Sequence, residues 1–108
     1  MRDEPRRFTI VYAPITKSHL QAIEAKYYSL IREVVNEQLS SEPTTETRNR
    51  KPLKRPAVFM ATWEIRFGPQ NRFRVYYDVD LEQTTVSILA IGIKYGNRVV
   101  IGGEEIQL

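Results

Sequence analysis

Apolar side chains recur along this chain with two different periods, and the change between them separates a helical half from a sheet half. Phe8-Thr9-Ile10-Val11-Tyr12 is short and rich in β-branched and aromatic residues, with Pro14 just beyond it, so it predicts a first strand. Leu20, Ile23, Tyr27, Ile31, Val34 and Leu39 then recur at intervals of three to five, with Glu24, Arg32, Glu33 and Glu37 between them. That spacing predicts an amphipathic helix, or two in close succession, capped at Thr16 or Ser18. Ser40-Ser41-Glu42-Pro43 ends it, because short hydroxyl side chains compete for backbone hydrogen bonds and proline cannot continue the helix. From about residue 42 to 58 there is no hydrophobic period, and Pro43, Pro52 and Pro56 interrupt the segment, so an exposed connection is expected.

Beyond Phe59 the period becomes two. Trp63, Ile65 and Phe67 alternate with Thr62, Glu64 and Arg66, and after the turn Gly68-Pro69-Gln70-Asn71, Phe73, Val75, Tyr77 and Val79 alternate with Arg72, Arg74, Tyr76 and Asp78. This is the pattern of a hairpin with one buried face. Val86 to Ile93 is almost uninterrupted in its apolarity and predicts a central strand buried on both faces, and Val99-Val100-Ile101 adds an edge strand. The order predicts an α+β fold, with an N-terminal strand and one or two helices packed on one face of a twisted antiparallel sheet of about four strands. Residues 1–108 suit a single domain. On this plan Trp63 belongs to the core, where its truncation would cost about 3–5 kcal/mol. Glu64, Arg66, Arg72, Arg74 and Tyr76 share the opposite face by parity.

Charge sharpens this picture. Residues 48–74 hold Arg48, Arg50, Lys51, Lys54, Arg55, Arg66, Arg72 and Arg74 against Glu64 alone, a net of +7 that leaves the rest of this +3 chain at −4. A basic block on an otherwise acidic protein suits a phosphate-bearing partner, since clustered cations release condensed counterions on binding. The plainer alternative is a solvated loop followed by an ordinary charged sheet face. Without cysteine, disulfides, thiolate zinc sites and thiol catalysis are excluded. One histidine, His19, offers little to a metal, so no metal or other cofactor is expected, and its place near the helix start suggests a solvent-facing or capping role. No apolar run approaches the roughly 20 residues that span a bilayer, and the charged N-terminus lacks the apolar stretch of a secretory signal, so a cytoplasmic protein without membrane contact is expected.

Four segments in order, Lys51-Pro52-Leu53, Trp63-Glu64-Ile65-Arg66, Arg72-Phe73-Arg74-Val75-Tyr76-Tyr77-Asp78-Val79 and Ala90-Ile91-Gly92-Ile93-Lys94, resemble the RelE/ParE toxin superfamily of bacterial toxin–antitoxin systems over nearly the whole chain. The resemblance implies a toxin that cleaves messenger RNA in the ribosomal A site or, in the ParE branch, poisons DNA gyrase. It also implies a cognate antitoxin that wraps the toxin. The arginine of the family's aromatic-Arg-aliphatic strand motif falls on Arg74, and the basic position of the preceding strand on Arg66. Where RelE has a further basic residue this chain has Glu64, its Gly-Lys-Arg segment becomes Gly92-Ile93-Lys94, and its C-terminal tyrosine is replaced by the apolar Val99, Val100 and Ile101. The Trp-Glu-Ile-Arg wording is closer to the HigB-like branch.

Within that resemblance, RNA cleavage by 2′-hydroxyl attack needs cations on the developing phosphorane and a group to move protons. Arg66, Arg74 and Lys94 are the candidates to hold the phosphate, and Glu64 is the candidate base. Tyr95 and Tyr76 are candidates for stacking a base or protonating the leaving oxygen, while Arg48, Arg50, Lys51, Lys54, Arg55 and Arg72 would track the RNA backbone. The alternative for Glu64 is a structural pairing with Arg66 or Arg74 across the hairpin. A ribosome-dependent endoribonuclease, a gyrase inhibitor and a catalytically silent binding module remain open on these residues.

Overall fold

The computed structural model describes residues 7–54 and 58–106. Strand β1 (Thr9–Tyr12) is followed by helix α1 (Thr16–Gln21), a short turn of 3-10 helix, and helix α2 (Tyr28–Val34), which runs into a π-helical turn at Val35–Leu39. The helical pattern is therefore two short helices. Thr16 and Ser18 do not accept the first helical amides; their hydroxyls donate back to the carbonyls of Ala13 and Ile15 at 2.7 and 2.8 Å. At the far end Ser40 and Ser41 donate to the carbonyls of Asn36 and Glu37, which is the competition that stops the helix.

Six further strands follow: β2 (Arg50–Pro52), β3 (Trp63–Phe67), β4 (Phe73–Asp80), β5 (Thr85–Tyr95), β6 (Arg98–Ile101) and β7 (Glu104–Ile106). The sheet is thus seven-stranded among the described residues, not four-stranded, with the order β2-β3-β4-β5-β6-β7. It is also mixed, because β1 lies parallel to β5, from Thr9 opposite Thr85 to Tyr12 opposite Ile88. β2 and β7 are three residues each and carry charged or proline positions without an apolar alternation, which explains their silence in the sequence pattern.

The expected hairpin is β3–β4, in register from Trp63 opposite Tyr77 to Phe67 opposite Phe73. Its turn begins at Gly68, whose φ of +82° suits glycine, and a Cβ there would lie 2.4 Å from the Phe73 ring. Ile65, Phe67, Phe73, Val75 and Tyr77 from this hairpin bury themselves against Ile23, Ile31, Val35 and Leu39 of the helical layer and Val86, Ile88, Ile91 and Ile93 of β5. Tyr27 sets its ring at a tilt of 57° against Phe73, 4.9 Å away, and Tyr28 donates to the Leu20 carbonyl at 2.7 Å, so both tyrosines serve the core. Trp63 is partly buried against the same cluster, its ring beside that of Tyr77.

β5 is central, as its apolar run predicts, and a β-bulge explains how that run serves two faces. Tyr77 pairs with Ile88 but Tyr76 pairs with Ala90, so Leu89 is an extra residue and the side-chain parity of β5 inverts there. Before the bulge Val86 and Ile88 face the helices, and after it Ile91 and Ile93 do. Ala90 joins a smaller cluster on the opposite face with Ala61, Tyr76, Val99 and Ile101.

Candidate nucleic-acid interface

The strand register assembles the candidate site on the sheet face opposite the helices. Lys51 of β2 pairs with Glu64 of β3, Glu64 with Tyr76 of β4, and Tyr76 with Ala90 of β5. One row along, Arg66 pairs with Arg74 and Arg74 with Gly92. One row further, the Lys94 amide donates to the Arg72 carbonyl at 2.8 Å, extending the ladder past the end of β4. Lys51, Glu64, Arg66, Arg74, Tyr76 and Lys94 therefore share one face because their strand positions have the same parity.

At its centre Glu64, 5% exposed, is gripped from two sides. Arg66 Nε donates to one carboxylate oxygen at 2.9 Å, and Arg74 Nη1 lies 3.5 Å from the other. Arg74 is itself buried, 6% exposed, and its Nε donates to the Asn71 carbonyl at 3.4 Å. Only the Arg66 side chain, 42% exposed, presents the cluster to solvent. Beside them the Tyr76 hydroxyl is buried and meets no hydrogen-bond partner at ordinary geometry. Burial foremost, and then the charge of Glu64, pushes its pKa well above the ordinary tyrosine value. Tyr76 thus remains protonated, which makes it a donor rather than a base. A hydrogen-bonding contribution from the Glu64 carboxylate adds to that rise, which joins the Tyr76 hydroxyl to the charged cluster.

A separate cleft of about 420 Å³ opens on the helical side of the molecule, between β1, α1 and α2, with Tyr12, Leu20, Tyr28 and Ile31 in its wall and Lys17 and Arg32 contributing charge. Val11, Tyr12 and Ile15 are exposed nearby in the chain, an unusual concentration of apolar side chains in solvent.

No family model and no curated protein matches the chain. Among solved structures, a chain in the crystal structure of the toxin–antitoxin complex RelBE2 from Mycobacterium tuberculosis is similar, with a TM-score of 0.68 and 26% identity, covering 86% of this chain and 98% of that one. The chain belongs to the RelE/ParE-type toxin superfamily.

Membership of the superfamily does not place every basic residue at the candidate site, and several candidates lie elsewhere. Arg50, a candidate for the RNA backbone, is 3% exposed and points to the opposite side of β2 from Lys51. Its guanidinium donates to the Thr45 carbonyl at 2.9 Å and to Gln38 Oε1 at 2.8 Å, tying the connection after α2 to the helical layer. It is a structural arginine, and the segment containing it is not simply an exposed loop, since Pro43 is also enclosed and accepts a 2.6 Å hydrogen bond from Tyr77. Tyr95 is exposed but has the parity of Ile93, and it lines a small cavity with His19 and Ile23, so it is not beside Lys94 or Arg66. Lys51 is exposed and pairs with Glu46 at 3.7 Å, Arg48 and Lys54 are exposed, and Arg72 is half-buried. Arg55 lies outside the described residues.

His19 also departs from expectation. It is 4% exposed, and its Nδ1 accepts the Ile91 amide at 3.2 Å. Its place three residues after the buried Thr16 puts it on the buried side of α1.

Proposed function

We propose that this protein is the toxin of a type II toxin–antitoxin pair, acting in the cytoplasm as a metal-independent, ribosome-dependent endoribonuclease on messenger RNA. The observation that carries the nuclease reading is the single carboxylate of Glu64 held between Arg66 and Arg74 on a face that also bears Lys51 and Lys94. In the resting protein both Glu64 oxygens are engaged, so its action as a base requires one partner to let go. Arg66 is the partner able to do so, being half in solvent. An incoming phosphate draws the Arg66 guanidinium away through charge-assisted hydrogen bonds, and the freed oxygen then accepts the proton of the attacking 2′-hydroxyl. The new bond from 2′-oxygen to phosphorus forms as the bond to the 5′-oxygen breaks, with Arg66 and Lys94 on the phosphorane charge and the departing 5′-oxygen taking a proton from solvent water to leave as a hydroxyl. Arg74 acts from beneath, holding the carboxylate in place. Arg48, Lys51 and Lys54 supply the sequence-independent attraction for the RNA backbone of the ribosome-bound message.

The partner in this reading is an antitoxin. The RelBE2 structure is itself a toxin–antitoxin complex. The apolar cleft between β1, α1 and α2, with Lys17 and Arg32, gives an acidic, partly apolar antitoxin segment a place to bind on the helical side, from which the rest of the antitoxin would reach the basic sheet face. A second reading has its own observation: Glu64 and Arg74 neutralise one another under cover, which a non-catalytic gyrase inhibitor or binding module would tolerate equally.

Induction of the gene alone is expected to arrest growth, and co-expression with the product of the adjacent small open reading frame to restore it, the two proteins co-purifying. Purified protein is expected to leave gyrase supercoiling unchanged. Inhibition of supercoiling moves the protein to the ParE branch, and normal growth on induction with folded protein present removes the toxin reading.

A further inference from the structure

The long edge of β5 away from β4 is shared by two strands that do not meet. β1 pairs along Thr85–Ile88, and β6 pairs along Gly92–Tyr95. Between them the Ile91 amide points at a gap, and the acceptor that fills it is not backbone but the imidazole of His19, reaching from α1. On its far side the ring meets Phe59, with centroids 5.4 Å apart and planes tilted at 48°. A third contact closes the site at the turn between β6 and β7. There Gly102 approaches so closely that a Cβ would lie 3.2 Å from the His19 ring, at a φ of +62°.

We propose that His19 is a pH-operated latch: neutral, it ties α1, the gap in β5 and the Phe59 turn together, and protonated, it lets that turn go. The hydrogen bond sets the requirement. Nδ1 must carry a lone pair to accept the Ile91 N–H, so the resting imidazole is neutral with its proton on Nε2. Protonation places two donors face to face in a buried gap, and the contact is lost.

The turn it holds is poised to leave. Phe59 and Met60 both have left-handed backbones, with φ of 57° and 66°, an arrangement that non-glycine residues keep only when their surroundings impose it. Both side chains are substantially exposed, so the clasp between Phe59 and His19 is a principal contact of a turn with little burial of its own.

The charged groups around the ring do not oppose the switch. Lys17 stands on α1 itself, Lys94 and Tyr95 on β5, and Glu104 and Glu105 follow the Gly102–Gly103 turn, while the Val58–Met60 turn carries no titratable side chain. Among the described residues none forms an ion pair with the imidazole. Burial alone therefore lowers the pKa of His19 below its ordinary 6.5. The unfolded chain then binds more protons than the folded one just below that value. The latch is fully closed above about pH 6.5 and weakens as pH falls towards the lowered value. A cavity of about 20 Å³ beside His19, lined also by Ile23, Ile93 and Tyr95, has room for one water to deliver the proton.

Opening would free the Val58–Met60 turn ahead of β3 without touching the Glu64–Arg66–Arg74 network. The latch stands whether or not the chain is a nuclease.

The test follows the Ile91 amide and the His19 ring by NMR in the full chain, with chymotryptic cleavage after Phe59 as a second readout. His19→Gln serves as the control, because a glutamine oxygen can accept the same amide but does not titrate; His19→Asn replaces it if that variant does not fold. Between about pH 7.5 and pH 5, Ile91 protection corrected for intrinsic exchange is expected to fall about tenfold or more, with a midpoint below 6.5. Cleavage after Phe59, measured against the control at each pH, is expected to rise several-fold over the same range. A ring that titrates at 6.5 or above, or titration without a change in Ile91 protection and in relative cleavage, overturns the proposal.

Discussion

Arg74→Ala is expected to destabilise the protein by about 3 kcal/mol, because it strips one partner from a buried carboxylate. Glu64 and Arg74 are both nearly enclosed, and what remains after truncation is a buried carboxylate whose one remaining ion pair is with the half-exposed Arg66. For a chain of about this size such a loss lowers Tm by roughly 12–24 °C. Arg66→Ala is expected to behave differently, with a stability cost under about 1 kcal/mol, since its pair reaches solvent. Thermal unfolding of the two variants side by side measures the contrast; an Arg74→Ala protein as stable as the wild type would show that the Glu64 pairing carries no weight. Position on the polar face of the hairpin suggests that Arg74 can be removed without harm to the fold. Its burial reverses that expectation and makes Arg66 the better probe of activity.

Phe73→Ala is expected to cost about 3–5 kcal/mol. Its ring is fully enclosed, with Tyr27 at 4.9 Å and Phe67 at 5.8 Å, and the turn glycine Gly68 sits against it. These neighbours belong to three different elements, so the cavity left behind cannot close by a single side-chain shift. Trp63→Ala falls below that range because Trp63 is only partly buried. Chemical denaturation of both variants checks the order; a Trp63→Ala loss equal to or larger than that of Phe73→Ala would contradict this packing.

Why the hairpin was legible and other elements were not follows from what strand parity can express. Trp63 to Phe67 and Phe73 to Val79 alternate because one face meets helices and the other does not, so both the pairing and the shared face of Glu64, Arg66, Arg74 and Tyr76 follow from the sequence. β5 gave its existence but not its bulge, since an extra residue at Leu89 leaves an apolar run looking merely continuous. β2 has too few residues for any period to show, and with it went the assignment of Arg50. Once Lys51 is known to pair with Glu64, Arg50 must face the core, where Gln38 and the Thr45 carbonyl receive it. Counting charges along the chain cannot distinguish these two sides. His19, expected to face solvent or to cap the helix, is buried for a related reason: it fills a gap between β1 and β6 that only the assembled sheet creates.

The family motifs were informative in the same uneven way. They located the Glu64–Arg66–Arg74 cluster, where the strand register holds three side chains together. Tyr95, a candidate on chemical grounds outside those motifs, alternates with Lys94 along β5 and so faces α1 instead of the cluster.

Primer extension on messenger RNA from cells induced for the wild type and for Arg66→Ala tests the central claim most directly, since Arg66 is the exposed cation of the cluster and its loss leaves Glu64 paired with Arg74. The account predicts new cleavage ends inside coding regions with the wild type and a reduction of about a hundredfold or more with equally abundant, folded Arg66→Ala protein, as expected for removal of a donor to the developing phosphorane. Cleavage ends of equal intensity from both proteins, or none from a wild type that nonetheless arrests growth, would contradict it.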